Sequence, residues 1–188
     1  MSTDYTPKCH PSTPFPKFHV SLAEGQNRLL VAPQEDCDWQ LVVVYRGAHC
    51  PLCTKFLNRL AGFKPQLKAI GVDIIAVSAD SAEQLARHQE KLSVNFPIAY
   101  GLSKPQMHQL GLYISIPRSP QETDHDFPEP GLFVVNEAGN IQVVDLSNNP
   151  FSRPDLEALV SGLTWIRDPD NHYPIRGTAH YNDCALES

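Results

Sequence analysis

The apolar positions of this chain alternate between two rhythms. Residues 39–45 (Trp-Gln-Leu-Val-Val-Val-Tyr) and 72–77 (Val-Asp-Ile-Ile-Ala-Val) are short runs, rich in β-branched residues and apolar on both faces. Such runs belong to strands buried at the centre of a sheet. Between them the spacing turns helical, with Phe56, Leu57, Leu60, Phe63 and Leu67 recurring three and four apart over residues 51–70. Pro65 lies inside that segment and should bend or break the helix, because it has no N–H to give the preceding turn. Ser81-Ala82-Glu83-Gln84 has the form of a capping box and opens a helix running to about residue 92. Residues 28–32 and 96–99 read as short strands, and 106–112 as a short helix. Residues 132–136 and 141–144, joined through Glu137-Ala138-Gly139-Asn140, predict a β-hairpin. Ser152-Arg153-Pro154-Asp155 then starts a last helix, with Leu156, Leu159, Val160, Leu163 and Ile166 on one face. The order β-α-β-α-β-α-β-β-α has no internal repeat. It predicts an α/β fold, with a mainly parallel sheet covered on both faces and ended by an antiparallel pair.

Three stretches lack a rhythm. The first twenty residues carry Pro7, Pro11, Pro14 and Pro16 and should form an extended lead-in. Residues 115–129 hold Pro117, Pro120 and Pro128 among several acids, a surface loop of a length that is uncommon unless it serves a function. The tail, residues 168–188, shows no periodicity. The 188 residues suit a single domain with a real core. A net charge of −6 gives no support for nucleic-acid or acidic-membrane binding. No run approaches the ~18 apolar residues of a membrane span, and the N-terminus lacks the pattern of a signal peptide. Five cysteines without a regular framework suit a reducing compartment, so the cytoplasm is the default expectation.

The chemistry concentrates in Cys50-Pro51-Leu52-Cys53, which follows the first buried run and precedes the helical segment. Two thiols three residues apart at a strand-to-helix junction are near enough to close a small disulfide. The first-turn N–H groups of a helix favour a thiolate, the species that attacks. A zinc half-site is the main rival, yet no second C-x-x-C supplies the remaining ligands, and neither a metal nor another cofactor is expected. Arg46 could stabilise a thiolate or a departing oxygen, or could form a surface ion pair. His49 could act as a neighbouring cation or base, or face solvent. Arg118 could reach the site from the long loop, and Arg176 could anchor the tail. Cys9, Cys37 and Cys184 have no motif around them, although Cys184 could serve as a resolving thiol.

Around this motif the chain resembles thioredoxin-fold redox proteins, and specifically the peroxiredoxin-like (AhpC/TSA, redoxin) branch, over roughly residues 15–166. The resemblance rests on residues 72–80, a strand ending in Ser78-Ala79-Asp80, with Asn95-Phe96-Pro97-Ile98 after the next helix. It rests also on Gly131-Leu132-Phe133-Val134-Val135-Asn136 with Gly139-Asn140-Ile141. It implies a thioredoxin-like fold with a central mixed sheet flanked by helices. Aligned on the family's Pro-x-x-x-Thr/Ser-x-x-Cys motif, Cys53 takes the peroxidatic position, Cys50 replaces the Thr or Ser, and Arg46 replaces the Pro. The family's later arginine, which helps hold the peroxide, is replaced by Pro130, where thioredoxins have a cis-proline facing the C-x-x-C. The body thus resembles a peroxiredoxin and the two active-site elements a thioredoxin.

The resemblance implies an antioxidant oxidoreductase that reduces hydroperoxides through a Cys50/Cys53 dithiol–disulfide cycle, restored by a thioredoxin- or glutathione-type donor. A protein disulfide reductase is the alternative, and a redox-inactive interaction module the third reading. Cys53 attacks first in the peroxiredoxin alignment and Cys50 in the thioredoxin one. Hydroperoxide or disulfide is the expected substrate, with no nucleic acid and no membrane as partners, and a homodimer is left open.

Overall fold

A computed structural model describes residues 6–179, apart from residues 24 and 35. Its strands are β1 (His19–Leu22), β2 (Asn27–Leu29), β3 (Trp39–Val44), β4 (Val72–Val77), β5 (Ile98–Tyr100), β6 (Ile114–Ser115), β7 (Phe127–Pro128), β8 (Gly131–Val135) and β9 (Ile141–Leu146). The helices are α1 (Pro51–Ala61), α2 (Lys64–Ala69), α3 (Ala82–Gln89), α4 (Lys104–Gln109) and α5 (Leu156–Arg167). Seven strands form one mixed sheet in the order β2-β1-β5-β4-β3-β8-β9. The three central strands, β5, β4 and β3, run parallel. The predicted hairpin, β8 and β9, adds antiparallel to β3.

The expectation of a mainly parallel sheet needs correction at the far edge. There β1 and β2 pair antiparallel, and β1 also pairs antiparallel with β5. Strand β1 begins inside the proline-rich lead-in, and its four residues are too few to display a period. Ahead of it Pro14 bridges to Asn140 at the tip of the β8–β9 hairpin, so the prolines end where the ladder begins.

Alternate residues of the central strands serve opposite faces, which is why their sequences read as unbroken apolar runs. Leu41, Val43, Ile74 and Leu132 pack with Leu57 and Leu60 of α1, Leu85 of α3 and Val160 and Leu163 of α5. Val42, Val44, Ile75 and Phe133 face the other way, onto Met107 of α4, Leu110 and Phe15. Burying each such side chain contributes about 1.5–3 kcal/mol.

The helical segment 51–70 breaks as its proline requires. Helix α1 stops at Ala61, and Pro65 sits in the first turn of α2, where its missing N–H has no partner to lose. The capping box at Ser81 is present, its Oγ accepting from Gln84 N–H at 3.2 Å while the Gln84 side chain accepts from Ser81 N–H at 2.7 Å. The long loop is tied down at both ends by pairing of β6 with β7. The tail begins with a single 3-10 turn, Pro169–Asn171.

Candidate active site

Strand β3 ends at Val44 and the chain passes through Tyr45, Arg46 and Gly47 before α1 starts at Pro51. Gly47 has φ +134°, and a Cβ there would overlap the carboxylate of Asp80. Asp80 is fully buried and accepts from Ala48 N–H at 2.9 Å and from Ser78 Oγ–H at 3.0 Å. The end of β4 thus holds the turn that delivers the two cysteines. Burial raises the pKa of Asp80, opposed by those two hydrogen bonds.

Cys50 is the N-cap of α1 and Cys53 lies in its first turn. Both are free thiols, both are buried, and their sulfurs are in contact at 2.8 Å, with Cys53 Sγ–H donating to Cys50 Sγ. The backbone N–H of Cys53 also points to Cys50 Sγ, at 3.4 Å. These contacts separate the two sulfurs chemically. The Cys53 thiol's hydrogen bond, working against burial and helped by the backbone N–H and by Arg46, lowers the pKa of Cys50 to about 6. Burial, together with the proton shared toward Cys50, pushes Cys53 up, with Arg153 opposing. The hydrogen bond between them therefore favours the thiolate at Cys50 and the thiol at Cys53.

Arg46 is held in place by the long loop. Its Nε lies 3.3 Å from Glu129, its Nη2 3.4 Å from Glu122, and its guanidinium sits over the Phe127 ring at 4.6 Å. The segment from the β6–β7 loop to just past the end of β7 therefore supplies the groups that hold the cation. Arg46 thus forms the ion pairs of one of its readings, partly buried rather than on the surface, and its charge is also among the causes that lower the Cys50 pKa. Burial and Arg46 depress the pKa of His49 to about 4, which disfavours its reading as a cation and leaves its reading as a base open, and its half-buried ring packs on Phe127 at 4.6 Å.

Pro130 overturns an expectation. Among the described residues there is no cis peptide bond, so Pro130 is trans. It ends the chain's passage from β7 into β8, where an ordinary extended backbone makes the connection and Pro130 O accepts from Ser147 N–H at 2.9 Å. Pro130 lines a small cavity with Phe56 and Arg153. Arg153 is the functional residue that the sequence did not reveal. Its Nη2 donates to Cys53 Sγ at 2.8 Å, and its guanidinium covers Phe56 at 4.9 Å. In sequence it reads as part of a helix start, and no local motif links it to a thiol a hundred residues earlier. The resemblance carried a signal only in reverse, since an arginine is missing at Pro130 and Arg153 arrives at the same cavity from the loop before α5.

The remaining candidates lie outside this cluster. Arg118 is exposed and pairs with Glu122 at 3.2 Å, so it bears on the site only through Arg46's partner. Arg176 stacks on Tyr173 at 5.1 Å. Cys9 donates to the Gln109 carbonyl, and Cys37 precedes β3 at the end opposite Arg46. Cys184 lies outside the described residues. No cluster that could hold a metal ion is found among the described residues, nor is any helix there long and apolar enough to cross a membrane.

Residues 11–144 match the model of the AhpC/TSA family. No curated protein matches the sequence. Among solved structures, the chain is similar to a peroxiredoxin-like protein from Aquifex aeolicus, at 17% identity and TM-score 0.68, over 84% of this chain and 88% of that one. It is similar to a mutant peroxiredoxin 6 of Arenicola marina, at 16% identity and TM-score 0.70, over 84% and 73%. The peroxidoxin BcpB from Mycobacterium tuberculosis matches at 16% identity and TM-score 0.68, over 84% and 98%.

Proposed function

The chain belongs to the AhpC/TSA family of thiol-dependent peroxidases and oxidoreductases, and on that premise we propose that it reduces small hydroperoxides with Cys50 as the attacking sulfur. The Cys50 thiolate attacks the distal oxygen, forming an S–O bond as the O–O bond breaks. It becomes a sulfenic acid, while the leaving alkoxide or hydroxide takes a proton and departs as alcohol or water. Cys53 then attacks the sulfenic sulfur and loses its proton, water leaves, and the Cys50–Cys53 disulfide forms. A thiol donor returns two electrons and two protons to restore the dithiol.

The observation that carries this reading is the asymmetry of the pair. Cys50 is lowered to about 6, while Cys53 keeps its proton and touches Cys50 at 2.8 Å. One sulfur is ready to attack and the other is already placed to condense. Arg46 favours the thiolate and the charge of the leaving oxygen. Arg153, on Cys53, favours loss of the second proton once Cys50 has been oxidised. The peroxiredoxin alignment would have made Cys53 the attacker. Its raised pKa favours the opposite order.

A specific observation favours a second reading, protein disulfide reduction. The activated sulfur is the first of the C-x-x-C, as in the thioredoxin alignment. Against it stands access, because Cys50 is only 2% exposed, and a protein disulfide needs more room at the sulfur than a small peroxide does. The discriminating experiment supplies the reduced protein with dithiothreitol and either a hydroperoxide or a protein disulfide. The expected result is catalytic loss of peroxide, with oxidised protein lighter by two hydrogens in the peptide holding both cysteines. Cysteines that remain alkylatable after peroxide would overturn the proposal, and rapid turnover of the protein disulfide alone would favour the second reading.

A further inference from the structure

Two clefts meet beside the first turn of α1. The larger, about 680 Å³, is lined by His49, Thr54, Lys55, Asn58 and Lys91 among others. The smaller, about 260 Å³, shares His49 and Lys91 and adds Asp80, Arg87, His88 and Glu122. Their common wall is built rather than incidental. Asn58 Nδ2–H donates to the Lys91 carbonyl at 3.1 Å, and Asn58 Oδ1 accepts from Ser93 N–H at 2.7 Å, fixing the chain after α3 onto α1. Thr54 Oγ1 bonds His88 Nε2 at 2.8 Å and joins the same two helices lower down.

The charge of this site departs from the charge of the molecule. The chain is acidic by six, yet Lys55, Arg87 and Lys91 converge here, exposed and without an ion pair among the described residues. Two carboxylates line the same space. Glu122 is engaged by Arg46 and Arg118, and Asp80 is buried with its charged form disfavoured. The floor also carries buried polar atoms without hydrogen-bond partners, among them His88 Nδ1 on a residue 1% exposed and both ring nitrogens of His49, while Asp80 Oδ1 faces only His125 Nε2 at 3.9 Å. Buried polar atoms left unpaired cost about 1–3 kcal/mol each, which an incoming polar group can recover. Both imidazoles are kept neutral by burial, so each retains an N–H donor and an acceptor nitrogen.

We propose that this cleft seats the carboxylate of a small-molecule partner of Cys50, either an acidic hydroperoxide or an acidic thiol donor, with its reactive end directed past His49 to the adjacent sulfur. The inference rests on the redox reading above and names the partner class for it. The carboxylate is unchanged in either half-reaction. An acidic hydroperoxide gives up its distal oxygen to Cys50 and leaves as the hydroxy acid. In the other half-reaction, two equivalents of an acidic thiol reduce the Cys50–Cys53 disulfide and leave as their own disulfide.

The test measures each half-reaction with matched probes. Oxidation of Cys50 is timed with a fatty-acid hydroperoxide and with its methyl ester. Reduction of the disulfide, formed beforehand with diamide, is timed with 3-mercaptopropionate and with 2-mercaptoethanol. Lys55→Glu and Lys91→Glu should lower the acidic-to-neutral rate ratio about five- to tenfold in one arm, and added salt should lower it in the unmodified protein. Lys17→Glu, the same charge change on another exposed lysine, should leave the ratio unaltered. A response in the oxidant arm assigns the seat to the hydroperoxide, and one in the reductant arm to the thiol. Unchanged ratios in both arms would overturn the proposal. If no hydroperoxide oxidises Cys50, the peroxidase reading fails separately, and the reductant arm still decides whether the seat exists.

Discussion

At the scale of single residues, the proposed cycle assigns one arginine to each sulfur. Arg46 helps lower Cys50 to about 6 and Arg153 contacts Cys53 at 2.8 Å. Because a thiolate attacks and a thiol does not, the rate of Cys50 alkylation should rise with pH through about 6 and level off above it. Replacing Arg46 with Ala removes a stabiliser of the charged form, so the same curve should move to higher pH, leaving less thiolate at neutrality. A curve that stays in place would confine Arg46 to holding the loop. Arg153→Ala should act on the second step. After a pulse of peroxide, trapping with a sulfenic-acid reagent should find the Cys50 adduct accumulating and the disulfide forming about tenfold or more slowly, since a charge-assisted contact is worth about 1.5–3 kcal/mol. Unaltered disulfide formation would remove Arg153 from the cycle. Arg46 was legible in the sequence as a candidate from its place four residues before Cys50, at the end of a buried strand. Arg153 was not, because its only relation to Cys53 is made by tertiary packing.

The elements that position these residues were legible in proportion to their length. Strands β3 and β4, the β8–β9 hairpin, the Ser81 capping box and α5 each repeat a pattern often enough to be read. Strand β1, with four residues, and the β6–β7 pair, with two each, do not. The pairing that closes the long loop is therefore visible only in the fold, although its length already pointed to a function that the loop's contacts with Arg46 now explain. The cis geometry expected at Pro130 rested on analogy with thioredoxins. The chain meets the same place with a trans bond and an arginine from another segment. The joint between β4 and the cysteine turn offers a direct test. Gly47→Ala would put a side chain at φ +134° and against the buried Asp80 carboxylate. It should cost at least about 2 kcal/mol in chemical denaturation, the range expected for a strained backbone position with an added overlap. A loss below about 0.5 kcal/mol would mean that the turn relaxes freely and that Asp80 does not fix it.

For the molecule as a whole, a family fold carries an active site assembled from unlike parts. Residues 11–144 match the AhpC/TSA family, and the sheet has the mixed arrangement that the family resemblance implied. In the proposed cycle, however, the first cysteine at the strand-to-helix junction attacks and the second is held in reserve. The sequence could be aligned with either order, because both alignments place a cysteine at the helix start. What separates them is burial and hydrogen bonding, which no local pattern encodes. The measurement that tests this order most directly is the fate of each cysteine in the single replacements Cys50→Ser and Cys53→Ser after brief exposure to hydrogen peroxide, read by mass spectrometry with a sulfenic-acid trap. The account predicts that Cys53→Ser carries the trapped adduct on Cys50, and that Cys50→Ser leaves Cys53 a thiol. An adduct on Cys53 in Cys50→Ser, with none on Cys50 in Cys53→Ser, would contradict it.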